Sequence, residues 1–173
     1  MESESMSMGF DDQDVVSAET MHGHDWPCLR QFCVFLENRV GRLNELMRLL
    51  ESADTRVIAV SLVDSVDFAM ARLMFSNAER AREKLELSGF AFSESDVIGV
   101  LLPDGDKPMS SVCTELVKAE INIHHAYPLL FRKNGMGAVA LFVDDNDRAA
   151  QALRAAGMEI LTDGSLLDDD ESF

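Results

Sequence analysis

Apolar positions along the chain alternate between two periods, which predict strands and helices in a regular order. The predicted elements are, in order, strand 31–36, helix 43–50, strands 57–63 and 68–75, helix 77–89 and a strand that begins at 90–92. Asn77 suits a helix N-cap and Gly89 a left-handed helix end. The first half of the chain therefore reads strand, helix, strand, strand, helix, strand.

The same order occurs a second time, at nearly constant spacing. Equivalent pairs at an offset of 66 include Phe32 and Ile98, Val34 and Val100, and Leu46 and Val112, and pairs at an offset of 68 include Leu85 and Leu153, and Gly89 and Gly157. Because helices and strands keep the register together, an internal duplication explains the pattern. We place the two added residues around the strand-to-strand turn at residues 131–135.

Each repeat has the βαββαβ order of a ferredoxin-like module. Right-handed crossovers place both helices of such a module on one face of an antiparallel sheet. The sequence therefore predicts an α+β fold with two ferredoxin-like modules in tandem, residues 28–95 and 96–162. An acidic segment of residues 1–27 precedes them and an acidic tail of residues 163–173 follows. No linker separates the modules.

The strands are apolar on both faces. Cys33 and Phe35, and in the second repeat Gly99 and Leu101, alternate with the residues assigned to the helix-covered side. Strands that are apolar on both faces are buried on both. The helix-free face must therefore meet the partner module, a second chain or the N-terminal segment, and we expect a homodimer.

The net charge of −16 is concentrated at the two ends of the chain. Twelve of the 31 acidic residues lie in residues 1–25 and 163–173, which leaves nineteen acids against fifteen bases between them. Acidic ends of this kind are typically solvated and disordered, and they repel phosphate, so we expect neither nucleic acid nor membrane as a partner. With no signal-peptide pattern and no long apolar stretch, a cytoplasmic location is expected.

Cysteine and histidine give no predicted disulfide, metal site or cofactor. Three cysteines without paired spacing argue against a disulfide scaffold. Cys33 and Cys113 lie inside apolar periodic segments, so we expect small buried hydrophobes there rather than reactive thiols. His22 and His24 lack further ligands nearby, and His124 and His125 would project to opposite sides of a strand. No catalytic set emerges either, so we expect no enzyme activity. Residues 38–42 are only distantly suggestive of the arginine-rich phosphate loop of acylphosphatases. Exposed base-stacking aromatics, as in RNA-binding ferredoxin folds, are not in evidence.

The stretch ENRVGRL, residues 37–43, joins the first strand to the first helix. Glycine at a helix start indicates either a turn that other residues resist or a group that approaches the backbone closely. Asn38 could cap the helix, and the first-turn amides with the helix dipole favour an anion such as an amino acid's α-carboxylate. The residues alone leave both explanations open.

Four stretches carry a resemblance to a known family: ENRVGRL at that junction, SESDVIGV between the modules, AEINIHHAYPLL after the third helix and a closing AAQALRAAGMEIL. With these stretches the sequence resembles tandem ACT-domain proteins over about residues 29–162. The resemblance implies ferredoxin-like modules that bind amino acids or similar small metabolites and regulate enzymes of amino-acid metabolism. It also implies a ligand site at the loop between first strand and first helix, near a module interface. Asn38, Gly41 and Leu43 match the pattern Asn/Asp-x-Pro-Gly-x-Leu, with Val40 at the proline position.

The residues expected at this ligand site are Asn38, Arg39, Val40, Gly41, Arg42, Leu43, His124 and Tyr127. In the second repeat Lys107 occupies the glycine position, where a long side chain would crowd a ligand unless Gly105 takes over in a shifted loop. Two hypotheses follow. The chain is an amino-acid sensor that uses the first loop, or it is a dimeric adaptor or regulatory subunit, without a ligand, that docks on a metabolic enzyme.

Overall fold

The computed structural model describes residues 27–64 and 68–167. The elements are β1 (Leu29–Glu37), α1 (Arg42–Leu50), β2 (Val57–Asp64), β3 (Phe68–Phe75), α2 (Ala78–Ser88), β4 (Phe92–Leu101), α3 (Pro108–Lys118), β5 (Ile123–Lys133), β6 (Met136–Val143), α4 (Asn146–Ala155), β7 (Ile160–Leu161) and α5 (Asp163–Leu167). The predicted βαββαβ order, present twice, is confirmed. Among the described residues no helix is long and apolar enough to cross a membrane.

All seven strands join one sheet, because β4 belongs to both repeats. The strand order is β2-β3-β1-β4-β6-β5, and β7 also pairs with β4. Residues 92–97 of β4 pair with β1, whereas residues 98–101 pair with β6. The predicted module boundary between residues 95 and 96 thus lies inside a continuous strand, and the two modules share their hydrogen-bonded framework.

Each pair of helices covers one half of the sheet. In the first repeat the cluster under α1 and α2 includes Phe32, Leu46 and Leu85, all fully buried. Asn77 caps α2 as predicted, since its side chain accepts a hydrogen bond from the Arg80 amide at 3.1 Å, and Gly89 ends the helix with φ of 76°. The second repeat forms the equivalent cluster under α3 and α4.

A third cluster, called here the inter-module core, fills the space between the helix-free faces of the two repeats. Its members include Leu29 and Met74 from the first repeat and Tyr127, Leu129 and Phe131 from the second. The prediction that the helix-free strand faces are covered is therefore confirmed for this region, and the partner module is what covers them. The homodimer stays a prediction.

The two added residues of the second repeat form a bulge in β5. Pro128 pairs with Val139 and Arg132 with Gly137, so three residues of β5 oppose one of β6. The equivalent stretch of β2 and β3 has no such shift. Our placement in the turn was therefore wrong by a few residues. The bulge carries Leu129 and Phe131, each 6% exposed, into the inter-module core.

The beginning of the predicted acidic tail is ordered. Residues 163–167 form α5, and the Leu166 side chain is buried in the inter-module core. An apolar side chain inside an acidic segment can still dock when a neighbouring surface offers a contact. The expectation of a solvated tail from residue 163 was therefore wrong for α5. Residues 1–26 and 168–173 lie outside the described residues.

Candidate functional site

The loop of residues 37–41 presents the N-terminus of α1 on the surface. Gly41 is the N-cap and has φ of 94°, in the left-handed region that side chains resist. A Cβ added there would have no atom within 4 Å. The turn alone therefore requires a glycine, and the space in front of its α-carbon is open to a ligand.

Asn38 does not cap α1, contrary to the sequence-based expectation. Its side-chain amide donates to Asp64 Oδ1 at 3.0 Å, which ties the loop to the end of β2. The N-cap lies three residues further on, at Gly41, and no side chain caps it. The Arg42 amide donates to the Arg39 carbonyl at 3.4 Å, whereas the next amides of the first turn have no intrahelical partner and remain suited to an anion.

Two arginines flank the N-terminus of α1. Arg39 Nε donates to Glu37 Oε2 at 2.8 Å, and Arg42 donates to Glu45 Oε2 at 2.5 Å. The Arg42 guanidinium lies over the Phe90 ring, 4.7 Å from its centroid, and its buried Nε has no hydrogen-bond partner among the described residues. Both pairs are partly exposed, so an incoming anion can compete for these guanidinium groups.

The remaining loop residues differ in burial. Val40 is fully exposed, whereas Leu43 is half-buried and packs on the first helix-covered core. In the second repeat Lys107 is the N-cap of α3, the position that Gly41 holds in α1. It is exposed, and its φ of −135° needs no glycine. The second loop therefore has a different backbone as well as a different side chain.

Tyr127 lies away from the loop, in a buried polar cluster with Gln31. The Tyr127 hydroxyl donates to Gln31 Oε1 at 2.6 Å, and Gln31 Nε2 donates to Ser95 Oγ at 2.9 Å. Gln31 precedes Glu37 by six residues of β1, or about 20 Å of strand. The structure therefore does not bring Tyr127 to the loop.

His125, rather than His124, faces this cluster. His125 Nε2 lies 3.2 Å from Gln31 Oε1, and its ring stacks on Phe142 with centroids 4.8 Å apart. Burial, with the charges of Arg72 and His124, lowers the pKa of His125, and burial raises the pKa of Tyr127. His124 is exposed beside Asn122.

Sequence reasoning missed Gln31, which is 1% exposed and contacts Tyr127, His125 and Ser95 in this cluster. The available signal was a polar residue on the helix-free face of an apolar strand. The expectation that Cys33 and Cys113 are buried is wrong, because both are only half-buried. Cys28 is buried, and none of the three cysteines is in a disulfide. His22 and His24 lie outside the described residues.

Comparisons with known proteins agree with this architecture. In structure, a protein of Bacteroides thetaiotaomicron matches with a TM-score of 0.73 and 24% identity, over 82% of this chain and 96% of that one. The ligand-free regulatory subunit of aspartate kinase from Thermus thermophilus matches with a TM-score of 0.53 and 12% identity, over 78% and 94%. No protein of curated function matches the sequence. The sequence model described as ACT domain pair matches residues 28–168, and the chain therefore belongs to the ACT domain pair family.

Proposed function

We propose that this chain is a non-catalytic regulatory protein that binds a small metabolite, an amino acid or a close analogue, at the loop of residues 37–43. The observation that carries the proposal is the start of α1. Its N-cap is a glycine with open space in front of it and no side-chain cap. Family membership supports a regulatory role, and the loop is the place where the ACT resemblance puts a ligand.

The chemistry of the loop favours an α-carboxylate. Free amides at the start of a helix and the helix dipole attract an anion, and Gly41 lets that anion approach the backbone. Arg39 and Arg42 supply positive charge, while Glu37 and Glu45 are placed to receive an α-ammonium group. A zwitterion therefore finds both complementary charges within one turn of the helix.

A thermal-shift screen against the twenty amino acids and common 2-oxo acids tests this proposal. A ligand at a hundred times its Kd stabilises the fold by about 2.7 kcal/mol, which raises Tm by about 5–10 °C for a chain of this size. We expect a selective rise in the wild type that is lost in Gly41→Asp, because a carboxylate there repels the ligand and fills its space.

Gly157→Asp is the matched control. Gly157 has φ of 79° and, like Gly41, no atom within 4 Å of an added Cβ, so both variants carry similar backbone strain. Gly157 follows α4 in the other repeat, away from the loop. A ligand response that survives in Gly41→Asp, or that disappears equally in Gly157→Asp, would place binding elsewhere.

The second candidate function is an adaptor or regulatory subunit that acts as a dimer and docks on a metabolic enzyme. The exposed Lys107 at the N-cap of α3 favours it, since a lysine stands there at the position that the open Gly41 holds in the first loop. The aspartate kinase regulatory subunit with a similar fold gives the kind of partner to test. A flat ligand panel together with a dimer mass in sedimentation would favour this function.

A further inference from the structure

Part of the helix-free face of the first repeat lies outside the inter-module core. Strand pairing places Ser61, Arg72 and Cys33 side by side, and we call them the polar row. Two residues further along the strands, Val63, Met70 and Phe35 form the apolar row in the same way. Val63 is 43% exposed and Phe35 39%, so this surface is accessible to a partner.

The equivalent rows of the second repeat are buried. Tyr127, Ala140 and Gly99 occupy the positions of the polar row, and Leu129, Ala138 and Leu101 those of the apolar row. All six are buried, and all but Gly99 belong to the inter-module core. The first repeat leaves its polar and apolar rows partly exposed, whereas the equivalent rows of the second repeat are buried. The helix-free faces of the two repeats therefore do not overlap symmetrically.

Arg72 is the charged residue of the open rows, and its charge has no partner in the part of the chain that the structure describes. The half-buried side chain forms no ion pair and no hydrogen bond with any described residue. A half-buried guanidinium without a counter-charge is unfavourable, because it loses hydration and gains nothing in return. Its fork of donors fits a carboxylate with two parallel hydrogen bonds.

The surroundings of Arg72 are otherwise neutral. Burial lowers the pKa of His125, and burial together with Cys33 raises that of Tyr127, while the Arg72 charge lowers both pKa values. His124 also acts on His125. Glu37, further along the same face of β1, pairs with Arg39 instead. The local field therefore favours an anion.

We propose that the polar and apolar rows form a second ligand site, which takes a small carboxylate with an apolar side chain. The carboxylate pairs with Arg72, and the side chain lies over Met70 and Phe35. Successive rows of a strand face are about 7 Å apart, which suits a branched or aromatic group two or three carbons from the carboxylate. Phe68, whose ring centroid is 6.1 Å from that of Phe35, closes the far end.

This site is separate from the loop of the proposed function. Cys33 and Gly41 are eight residues apart, and the rows lie on the sheet face opposite to α1. Binding is followed by ¹H–¹⁵N spectra of the full chain with 3-phenylpropanoate, its uncharged amide and acetate as probes. The Gln31 side-chain amide and the Cys33 backbone amide report on the rows, and the Gly41 amide reports on the loop.

We expect 3-phenylpropanoate to shift the Gln31 and Cys33 signals saturably, with at least tenfold weaker binding for acetate and for the amide. Arg72→Gln should abolish the shifts and Arg72→Lys should weaken them. Arg132→Gln, which removes an exposed arginine of β5, should leave them unchanged. Each of three results would overturn the second site. They are equal binding of 3-phenylpropanoate and its amide, signal shifts that persist in Arg72→Gln, and signal shifts confined to Gly41. The Gly41 signals test the proposed function independently.

Discussion

Gly99→Ala tests whether the inter-module core is packed as tightly as the structure shows. Gly99 lies in β4, where it pairs with Ala140 on one side and Leu161 on the other. A Cβ built there would be 2.5 Å from Leu29 Cδ1 and 3.2 Å from Leu161 Cβ. Both leucines are fully buried, so neither has open space into which it can retreat.

The expected loss follows from these distances. Ordinary contact begins at 3.4 Å, so the Leu29 methyl must move by about 0.9 Å within the core. Overpacking of this kind costs about 1–3 kcal/mol, and the reduced freedom of the unfolded chain returns about 0.4–1 kcal/mol. We therefore expect a net loss of about 1–2 kcal/mol, which lowers Tm by about 2–8 °C.

Urea unfolding of Gly99→Ala and Gly137→Ala side by side provides the assay. Gly137 is also a strand glycine, in β6, but its added Cβ would only touch Leu102 Cδ1 at 3.9 Å. Gly137→Ala should be as stable as the wild type or slightly more stable. Because the repeats share β4 and a core, one transition with an unchanged m-value is expected for all three proteins. Equal midpoints for the two variants would refute the tight packing.

Two further predictions concern His125, beside the inter-module core, and Leu166, within it. Folding lowers the pKa of His125 below its ordinary value of 6.5. As pH falls below about 6.5, the unfolded chain therefore takes up a proton before the folded protein does. The free energy of unfolding decreases as a result, until the pH passes the pKa of the folded state. His125→Gln should flatten this decrease in urea midpoints measured from about pH 7.5 to 5, and an identical slope would contradict it. If α5 docks through Leu166, whose side chain is 2% exposed, Leu166→Ala should lower the free energy of unfolding by about 2–3 kcal/mol. Leu87 is 89% exposed, so the control Leu87→Ala should change it by less than about 0.5 kcal/mol. Equal effects of the two leucine variants in the same assay would show that α5 contributes no packing.

The element order was predictable because each element carries its own local signal. Helical spacing marks α1, Asn77 and Gly89 bracket α2, and residues 68–75 coincide with β3. These signals depend on neighbours within a few positions of the chain, so they need no knowledge of the tertiary fold. The duplication then extended the assignment to the second repeat.

The site was less predictable because its geometry depends on distant segments. Asn38 has the chemistry of a cap but lies three residues before the N-cap and bonds to Asp64 instead. Gln31 contacts His125 and Tyr127, more than ninety positions away. Periodicity identifies which face of a strand is apolar, but it does not show which row of that face meets the other module.

The asymmetric overlap of the two repeats explains how a duplicated fold acquires unequal surfaces. A symmetric arrangement would bury Arg72 as deeply as its equivalent, Ala140, which is fully covered. An unpaired guanidinium cannot be buried in that way without a large penalty, whereas an alanine can. The helix starts differ as well, since the N-cap of α1 is Gly41 with φ of 94° and that of α3 is Lys107 with φ of −135°. In the sheet, the first repeat leaves the polar and apolar rows partly exposed, while the second repeat buries its equivalent rows.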